Sequence, residues 1–220
     1  SLIANNINFN HLVHPNIYHV GESHCLSYAY SKINMKKKPY VVLPRIIFGA
    51  KAFHFSTKSA NLYKAITENH LKKIPNGSVV FVSIGEIDCR ANEGIIKASD
   101  KTGKTLNKII YETVDGFIEW FLNQNMENQH AYYFFNVPAP MYDAQHSEEI
   151  NDKIAKVVAL FNARLSNKAS KTNTNIVDVY RHTVDKKSFS NGLYNCDNRH
   201  LDSRIIPLIE NGIIRTFLSV

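Results

Sequence analysis

The stretch Tyr18-His19-Val20-Gly21-Glu22-Ser23-His24-Cys25 (YHVGESHC) decides how this chain is read. Ile17, Tyr18 and Val20 form an apolar-biased run that meets a glycine, an acid and a serine, and Cys25-Leu26-Ser27-Tyr28-Ala29-Tyr30 is compatible with the start of a helix. Strand, tight turn and helix is the arrangement that lifts a serine hydroxyl to the edge of an α/β sheet. Serine is equally a favoured helix N-cap. Ser23 is therefore either a nucleophile or a cap, and the rest of the chain has to choose.

Outward from this stretch, strand-like runs recur at Ile17–Val20, Val41–Phe48, Ser78–Ile84, Tyr132–Val137 and Asn175–Val179. They are short, β-branched or aromatic, and apolar on both faces, as strands of a parallel sheet covered on both sides should be. Pro44 places the second run at an edge or a bulge, because proline cannot donate to a ladder. Helical stretches are predicted between them at Ser27–Met35, Ser59–Lys72, Leu106–Gln124, Ser147–Ser166 and Asp202–Leu218. In the third, Ile109, Val114, Phe117, Ile118 and Phe121 recur at helical spacing. Alternation over the whole length predicts one domain, 1–220, built as a three-layer α/β/α sandwich around a mostly parallel five-stranded sheet.

Composition narrows the function classes. The 220 residues are 44% hydrophobic, ordinary for a globular chain, and no apolar run reaches membrane-spanning length. No signal peptide is visible in SLIANNINFNHLVHPN. Three cysteines, Cys25, Cys89 and Cys196, without CxxC spacing argue against a disulfide framework and a structural zinc site. A reducing, cytoplasmic compartment fits, although a removed leader or a larger parent chain fits too. The formal charge of +7 is spread along the chain, apart from Lys36-Lys37-Lys38 before Pro39, which reads as a solvated turn and not as a nucleic-acid patch.

In an open α/β sheet, chemistry gathers at the carboxyl ends of the strands. Here those ends carry Gly21-Glu22-Ser23, then Gly49 after Phe48, then Gly85-Glu86-Ile87-Asp88-Cys89-Arg90, then Asn136-Val137-Pro138. Before the last helix comes Cys196-Asp197-Asn198-Arg199-His200. A serine hydroxyl attacks only when a base removes its proton, and the usual base is a histidine held by a carboxylate. Asp197 and His200 are three residues apart, so one turn of chain carries both to the same place. His200 could otherwise flank the last helix, and Asp197 could be an ordinary turn residue. The joint pattern, each piece at a strand end, favours Ser23 as nucleophile.

That pattern resembles the SGNH, or GDSL, hydrolase superfamily at four places over nearly the whole chain. GESHCLS resembles the first block, with Glu22 where Asp is usual; Gly49 resembles the second-block glycine; Gly85 to Asp88 falls at the third block, Gly-x-Asn-Asp; Asp197 to His200 resembles Asp-x-x-His. The Gly-Glu-Ile-Asp-Cys-Arg form of the third block is similar to a bacterial subgroup tied to surface-polysaccharide loci. The resemblance implies a flavodoxin-like fold, a Ser23–His200–Asp197 triad, and an oxyanion hole built from the N–H groups of Ser23 and Gly49. It implies a serine esterase that removes O-acetyl or similar groups from a carbohydrate, with no metal or organic cofactor. Transfer of the acyl group to a glycan hydroxyl, as an O-acetyltransferase within a larger polysaccharide-biosynthesis protein, uses the same residues.

One departure stands out. Ile87 occupies the third-block asparagine position and has nothing to donate to an oxyanion. Loss of one such donor typically costs about a hundred- to a thousandfold in rate. Arg90 is the candidate replacement, with Asn92 second; the alternative for Arg90 is a salt bridge to Asp88 or Glu86 that orders the loop. A non-catalytic glycan-binding domain is the reading that Ile87 otherwise favours. Tyr142 is a candidate for stacking on a sugar, Ala131–Phe135 reads as core strand, and the three cysteines read as small buried residues under the site.

Overall fold

The computed structural model describes residues 15–35 and 37–217, with side chains described to 211. The N-terminal segment, Lys36 of the lysine run and Leu218 lie outside the described residues. In chain order the elements are β1 (Asn16–Gly21), a 3₁₀ turn (Ser23–Leu26), β2 (Lys32–Met35), β3 (Lys38–Ile46), α1 (Ala52–Ser56), α2 (Leu62–Leu71), β4 (Val79–Ser83) and α3 (Glu86–Cys89). There follow α4 (Ile95–Thr102), α5 (Leu106–Gln124), β5 (Ala131–Phe135), α6 (Glu148–Lys171), β6 (Asn175–Val177), α7 (Tyr180–Thr183), a second 3₁₀ turn (Ser203–Ile205) and α8 (Ile206–Phe217). Among the described residues no helix is long and apolar enough to cross a membrane.

The strands form one sheet in the order β2-β3-β1-β4-β5-β6, parallel throughout except for β2, which pairs antiparallel to β3. Alternate side chains of a strand face opposite layers. In β1 Tyr18 and Val20 join one core while Ile17 joins the other. In β5 Tyr132 and Phe134 face the first core and Tyr133 and Phe135 the second, so the aromatic run is core on both faces. The first core is covered by α1, α5 and α6 through Phe55, Phe117, Phe121, Phe161 and Leu165. The second is covered by the start of α8, through Ile206 and Ile209. Helices thus flank both faces, the expected α/β sandwich.

The sheet has six strands, not five, and the difference lies in the segment expected as a helix at Ser27–Met35. The helix stops after one 3₁₀ turn, and Tyr30 takes a left-handed backbone (φ 59) that a continuing helix excludes. Beyond it the burial of Lys32–Met35 alternates, with Ile33 and Met35 inward and Lys32 and Asn34 outward, which is a two-residue period. Those four residues pair with Lys38–Val41 as a hairpin whose turn includes Lys37. Pro44 lies at a local edge of the sheet, one of the two places expected for it, and not in a bulge. It pairs with His19 inside β3, but β2 ends opposite Val41. Val42 directs its N–H away from β1, to Ser31 O. Pro44, two residues on, shares that direction and meets no strand there, so its missing N–H costs no ladder bond.

α5 spans its expected range, and Ile109, Val114, Phe117, Ile118 and Phe121 are all buried. The Oγ of Ser147 caps α6 at Ile150 N, with Glu148 and Glu149 in its first turn and Lys168 and Lys171 in its last, matching the helix dipole. The region expected as one helix from Asp202 begins instead as the second 3₁₀ turn, with Asp202 as its cap.

Candidate active site

The strand ends meet at one rim. Gly21 closes β1 so tightly against β4 that a Cβ there would stand 2.4 Å from Ser83 O. The chain then turns at Glu22, whose carboxylate accepts from His24 N and caps the 3₁₀ turn. The cap is therefore Glu22, and Ser23 is left half-buried at the first position of the turn with its side chain facing the rim.

Across that rim lies the loop of Asp197 and His200. It is the tip of a short antiparallel ribbon, closed by Asp202 N to Tyr194 O (2.8 Å) and Cys196 N to His200 O (2.9 Å). Asp197 Oδ1 accepts from the backbone N–H of Arg199 and of His200, each at 2.7 Å, while Oδ2 meets His200 Nδ1 at 2.7 Å. One carboxylate thus folds the loop and orients the imidazole, which is the physical use of the three-residue spacing. These bonds, led by the His200 N–H, hold the Asp197 carboxyl down at about 2. His200 Nε2 lies 2.8 Å from Ser23 Oγ. With Nδ1–H directed at Asp197, Nε2 carries the lone pair and faces the hydroxyl.

Gly49 stands in the loop that follows β3, with φ 72, a left-handed backbone that favours glycine. Its loop is pinned from both sides: Ile47 N donates to Gly21 O at 2.7 Å, and Asp88 accepts from Ala52 N (2.7 Å) and Phe53 N (3.1 Å) at the start of α1. Asp88 is fully buried, and burial pushes its carboxyl up to about 7 against those two N–H groups. It links the third strand-end block to the second. Among the described residues the backbone N–H groups of Ser23 and Gly49 donate to no protein acceptor, which leaves two donors at the rim.

Arg90 forks onto Glu86, with Nε at 3.1 and 3.0 Å from the two oxygens and Nη2 at 2.7 Å, and its Nη1 reaches Glu93 at 3.1 Å. Its hydrogen bonds are thus to carboxylates that order the loop after β4, and the partners are Glu86 and Glu93, not Asp88. Asn92 and Tyr142 are exposed, and both line a cleft of about 630 Å³ between the loops that follow β4 and β5. Asn198 and Arg199, the two residues between Asp197 and His200, form part of its wall. Tyr142 rests edge-on against Phe189 at 5.4 Å. The loop after β5 is held by Asn162, whose side chain exchanges two 2.8 Å hydrogen bonds with the backbone of Val137.

Cys25 and Cys89 are buried, and burial raises both thiols, Cys25 to about 12, so neither is a ready thiolate. Cys196 is exposed, contrary to the expectation of three buried cysteines, because it sits on the ribbon and not beneath it. Among the described residues no group of three or more His, Cys, Asp or Glu side chains is arranged to hold a metal ion.

Two features escaped the sequence. Glu22 and His24 form a buried pair under Ser23, with His24 Nδ1 at 2.8 Å from Glu22 Oε1; the only hint was that two charged residues flank a serine. Gly94 passes so close over α3 that a Cβ would lie 1.9 Å from Asp88 O. No local pattern distinguishes it from a loop glycine.

No family model matches the chain, and no curated sequence matches it significantly. Solved structures do match in fold. A Bacteroides fragilis protein assigned as an acylhydrolase shares 16% identity at a TM-score of 0.59, over 100% of this chain and 98% of the other. A GDSL-like lipase from Bacteroides thetaiotaomicron shares 15% at 0.56, over 93% and 89%. Est24, a carbohydrate acetylesterase from Sinorhizobium meliloti, shares 11% at 0.56, over 93% and 99%. With its strand ends meeting at one rim and these neighbours spanning almost its full length, the chain has the fold of the GDSL, or SGNH, hydrolases.

Proposed function

We propose that the chain is a serine esterase that removes O-acetyl or similar acyl groups from a carbohydrate, with a bacterial surface or capsular glycan as the substrate class. The observation that carries this reading is the continuous relay from Asp197 Oδ2 through His200 to Ser23 Oγ, at 2.7 and 2.8 Å. In this reading Ser23 Oγ attacks the ester carbonyl as its proton passes to His200 Nε2. The carbonyl oxygen, now an oxyanion, receives the free N–H groups of Ser23 and Gly49. The tetrahedral adduct collapses, the sugar oxygen leaves with the proton from His200, and water repeats the sequence to free the acid.

The cleft beside the relay supports a carbohydrate substrate, since Asn92, Asn198, Arg199 and Gln145 offer polar groups and Tyr142 an aromatic face. Hydrolysis of p-nitrophenyl acetate, covalent labelling by a fluorophosphonate, and acetate release from O-acetylated glycans test the proposal. All three should depend on Ser23. Labelling and turnover that survive Ser23→Ala, or that are absent from the wild type, overturn it.

A further inference from the structure

The two acceptors around His24 determine its protonation. Its Nδ1 lies 2.8 and 3.0 Å from the two oxygens of Glu22, and its Nε2 lies 3.0 Å from the carbonyl oxygen of Arg199. A carbonyl oxygen only accepts, and so does an ionised carboxylate. A neutral imidazole has one N–H and would leave one of these contacts as a lone pair facing a lone pair. Both contacts are satisfied together only by the imidazolium.

This cation spans the two halves of the relay. Glu22 belongs to the turn that carries Ser23, and Arg199 belongs to the loop folded by Asp197. The ring of His24 also lies against that of His200, with centroids 4.8 Å apart and planes tilted by 39°. Meanwhile Ser23 Oγ has two acceptors within reach, Glu22 Oε2 at 3.0 Å and His200 Nε2 at 2.8 Å. A single hydroxyl proton serves one at a time, and only the second choice readies the oxygen for attack. Three contacts from His24, two from the ring and one from its backbone N–H at 3.1 Å, occupy the Glu22 carboxylate.

We propose that His24, as an imidazolium, is a positioning residue: it clamps the Asp197–His200 loop onto the Ser23 turn and turns the Ser23 hydroxyl from Glu22 toward His200. The catalytic part of this statement rests on the esterase reading. The titratable and charged groups that face His24 are Glu22 beside it, Glu86 from the start of α3, His200 from the ribbon and His19 from β1. Burial opposes the charge on His24, but the Glu22 hydrogen bond and charge, with Glu86 and the Arg199 carbonyl, outweigh it and raise the ring to about 8. Loss of that proton breaks one side of the clamp and makes Glu22 the stronger acceptor for Ser23. Activity then falls as pH rises through this range.

Two measurements test the inference. Nitrogen-15 spectra of histidine-labelled wild-type protein, with His24 assigned by comparison with His24→Gln, should show a ring protonated on both nitrogens at pH 7. Its titration should lie well above the ordinary midpoint of about 6.5. In parallel, His24→Gln should lower kcat for p-nitrophenyl acetate by about ten- to hundredfold with KM little changed, the scale of a small misplacement of reacting groups. The variant should also lose the wild type's alkaline fall in kcat. A ring that is neutral at pH 7 overturns the proposal, and so does a folded variant with wild-type kcat and pH profile. If the wild type shows no Ser23-dependent turnover, the esterase reading fails by itself, while the nitrogen spectrum still decides the state of the clamp.

Discussion

Nε2 of His200 stands 2.8 Å from Oγ of Ser23, although 177 positions separate the two residues in the chain. The parallel sheet brings them together: β1 delivers Ser23 to the rim, and the ribbon before α8 returns His200 to the same edge. Because the contact closes the relay and supports little of the core, Ser23→Ala and His200→Ala should each reduce ester hydrolysis on the order of 10⁴-fold or more. Melting temperatures should stay within a few degrees of wild type. Steady-state rates with a melting curve for each variant check both halves, and a variant that keeps even a tenth of wild-type turnover contradicts the assignment.

Asp197 does two jobs that one substitution separates. In Asp197→Asn the amide oxygen can still accept the N–H groups of Arg199 and His200, so the loop keeps its shape. The amide nitrogen then donates toward Nδ1, which places the ring proton on Nε2, where it can no longer receive one from Ser23. The expected loss is on the order of 10⁴-fold in kcat, with KM nearly unchanged. A large rise in KM with kcat intact would instead indicate that Asp197 acts only by shaping the cleft wall.

What could be read from the residues follows from how local each signal is. Strand ends, the five-residue apolar stripe of α5 and the Asp197–His200 spacing are local, and each appears where its pattern places it. Lys32–Met35 reads as helix from the residues because its strand pattern is four residues long and follows a stretch with helical composition. The left-handed Tyr30 that divides the two has no signature in side-chain type. The Glu22–His24 pair was illegible for a different reason: it acquires its meaning from the Arg199 carbonyl, which arrives from a position 175 residues away. Arg90 was legible as a dilemma, oxyanion donor or loop brace, and its partners are Glu86 and Glu93.

That geometry gives Arg90 a measurable consequence. Arg90→Gln removes a forked ion pair that is about three-quarters shielded from solvent, with a side-chain exposure of 23%. It leaves Glu86 without its forked partner and Glu93 with Lys51 alone, at 3.5 Å. Stability should drop by roughly 1–3 kcal/mol, and the loop lining the cleft should loosen. Turnover of p-nitrophenyl acetate, which is too small to need the whole cleft, should change less than tenfold. A loss of a hundredfold or more in kcat with an unchanged melting curve would place Arg90 at the oxyanion instead.

Gly94→Ala should be among the most damaging small substitutions, since the new methyl would lie 1.9 Å from a backbone carbonyl that cannot swing aside. The carbonyl belongs to Asp88, which braces the Gly49 loop, so the shift should reach the Gly49 N–H. Overpacking of this kind costs about 3 kcal/mol or more. Gly192→Ala is the control: its φ is 71 but a Cβ would meet nothing within 4 Å, so it should cost only about 1 kcal/mol. Equal melting temperatures for the two variants would contradict the close approach at Gly94.

His19 makes the last prediction, and its sign has to be worked out against an opposing group. The ring is fully buried between Tyr28 and Phe135, at centroid distances of 5.6 and 5.0 Å, and among the described residues neither nitrogen has a hydrogen-bond partner. Burial, with help from the charge of His24, lowers it from 6.5 to about 3. A histidine depressed on folding binds its proton in the unfolded chain first, so its contribution is complete above about pH 6.5 and drains away as pH falls toward 3. The slope is at most about 1.4 kcal/mol per pH unit. Asp88 tilts the other way over much of this window, because a carboxyl raised to about 7 keeps its proton in the folded state. The wild-type curve alone therefore hides His19, and the difference between wild type and His19→Phe reveals it. Between pH 6.5 and 4.5 wild type should lose stability relative to the variant by roughly 2–3 kcal/mol, the carboxylates being common to both proteins. Urea unfolding of both proteins at half-unit pH steps measures the difference, and parallel curves would mean that the ring is not held neutral in the folded core.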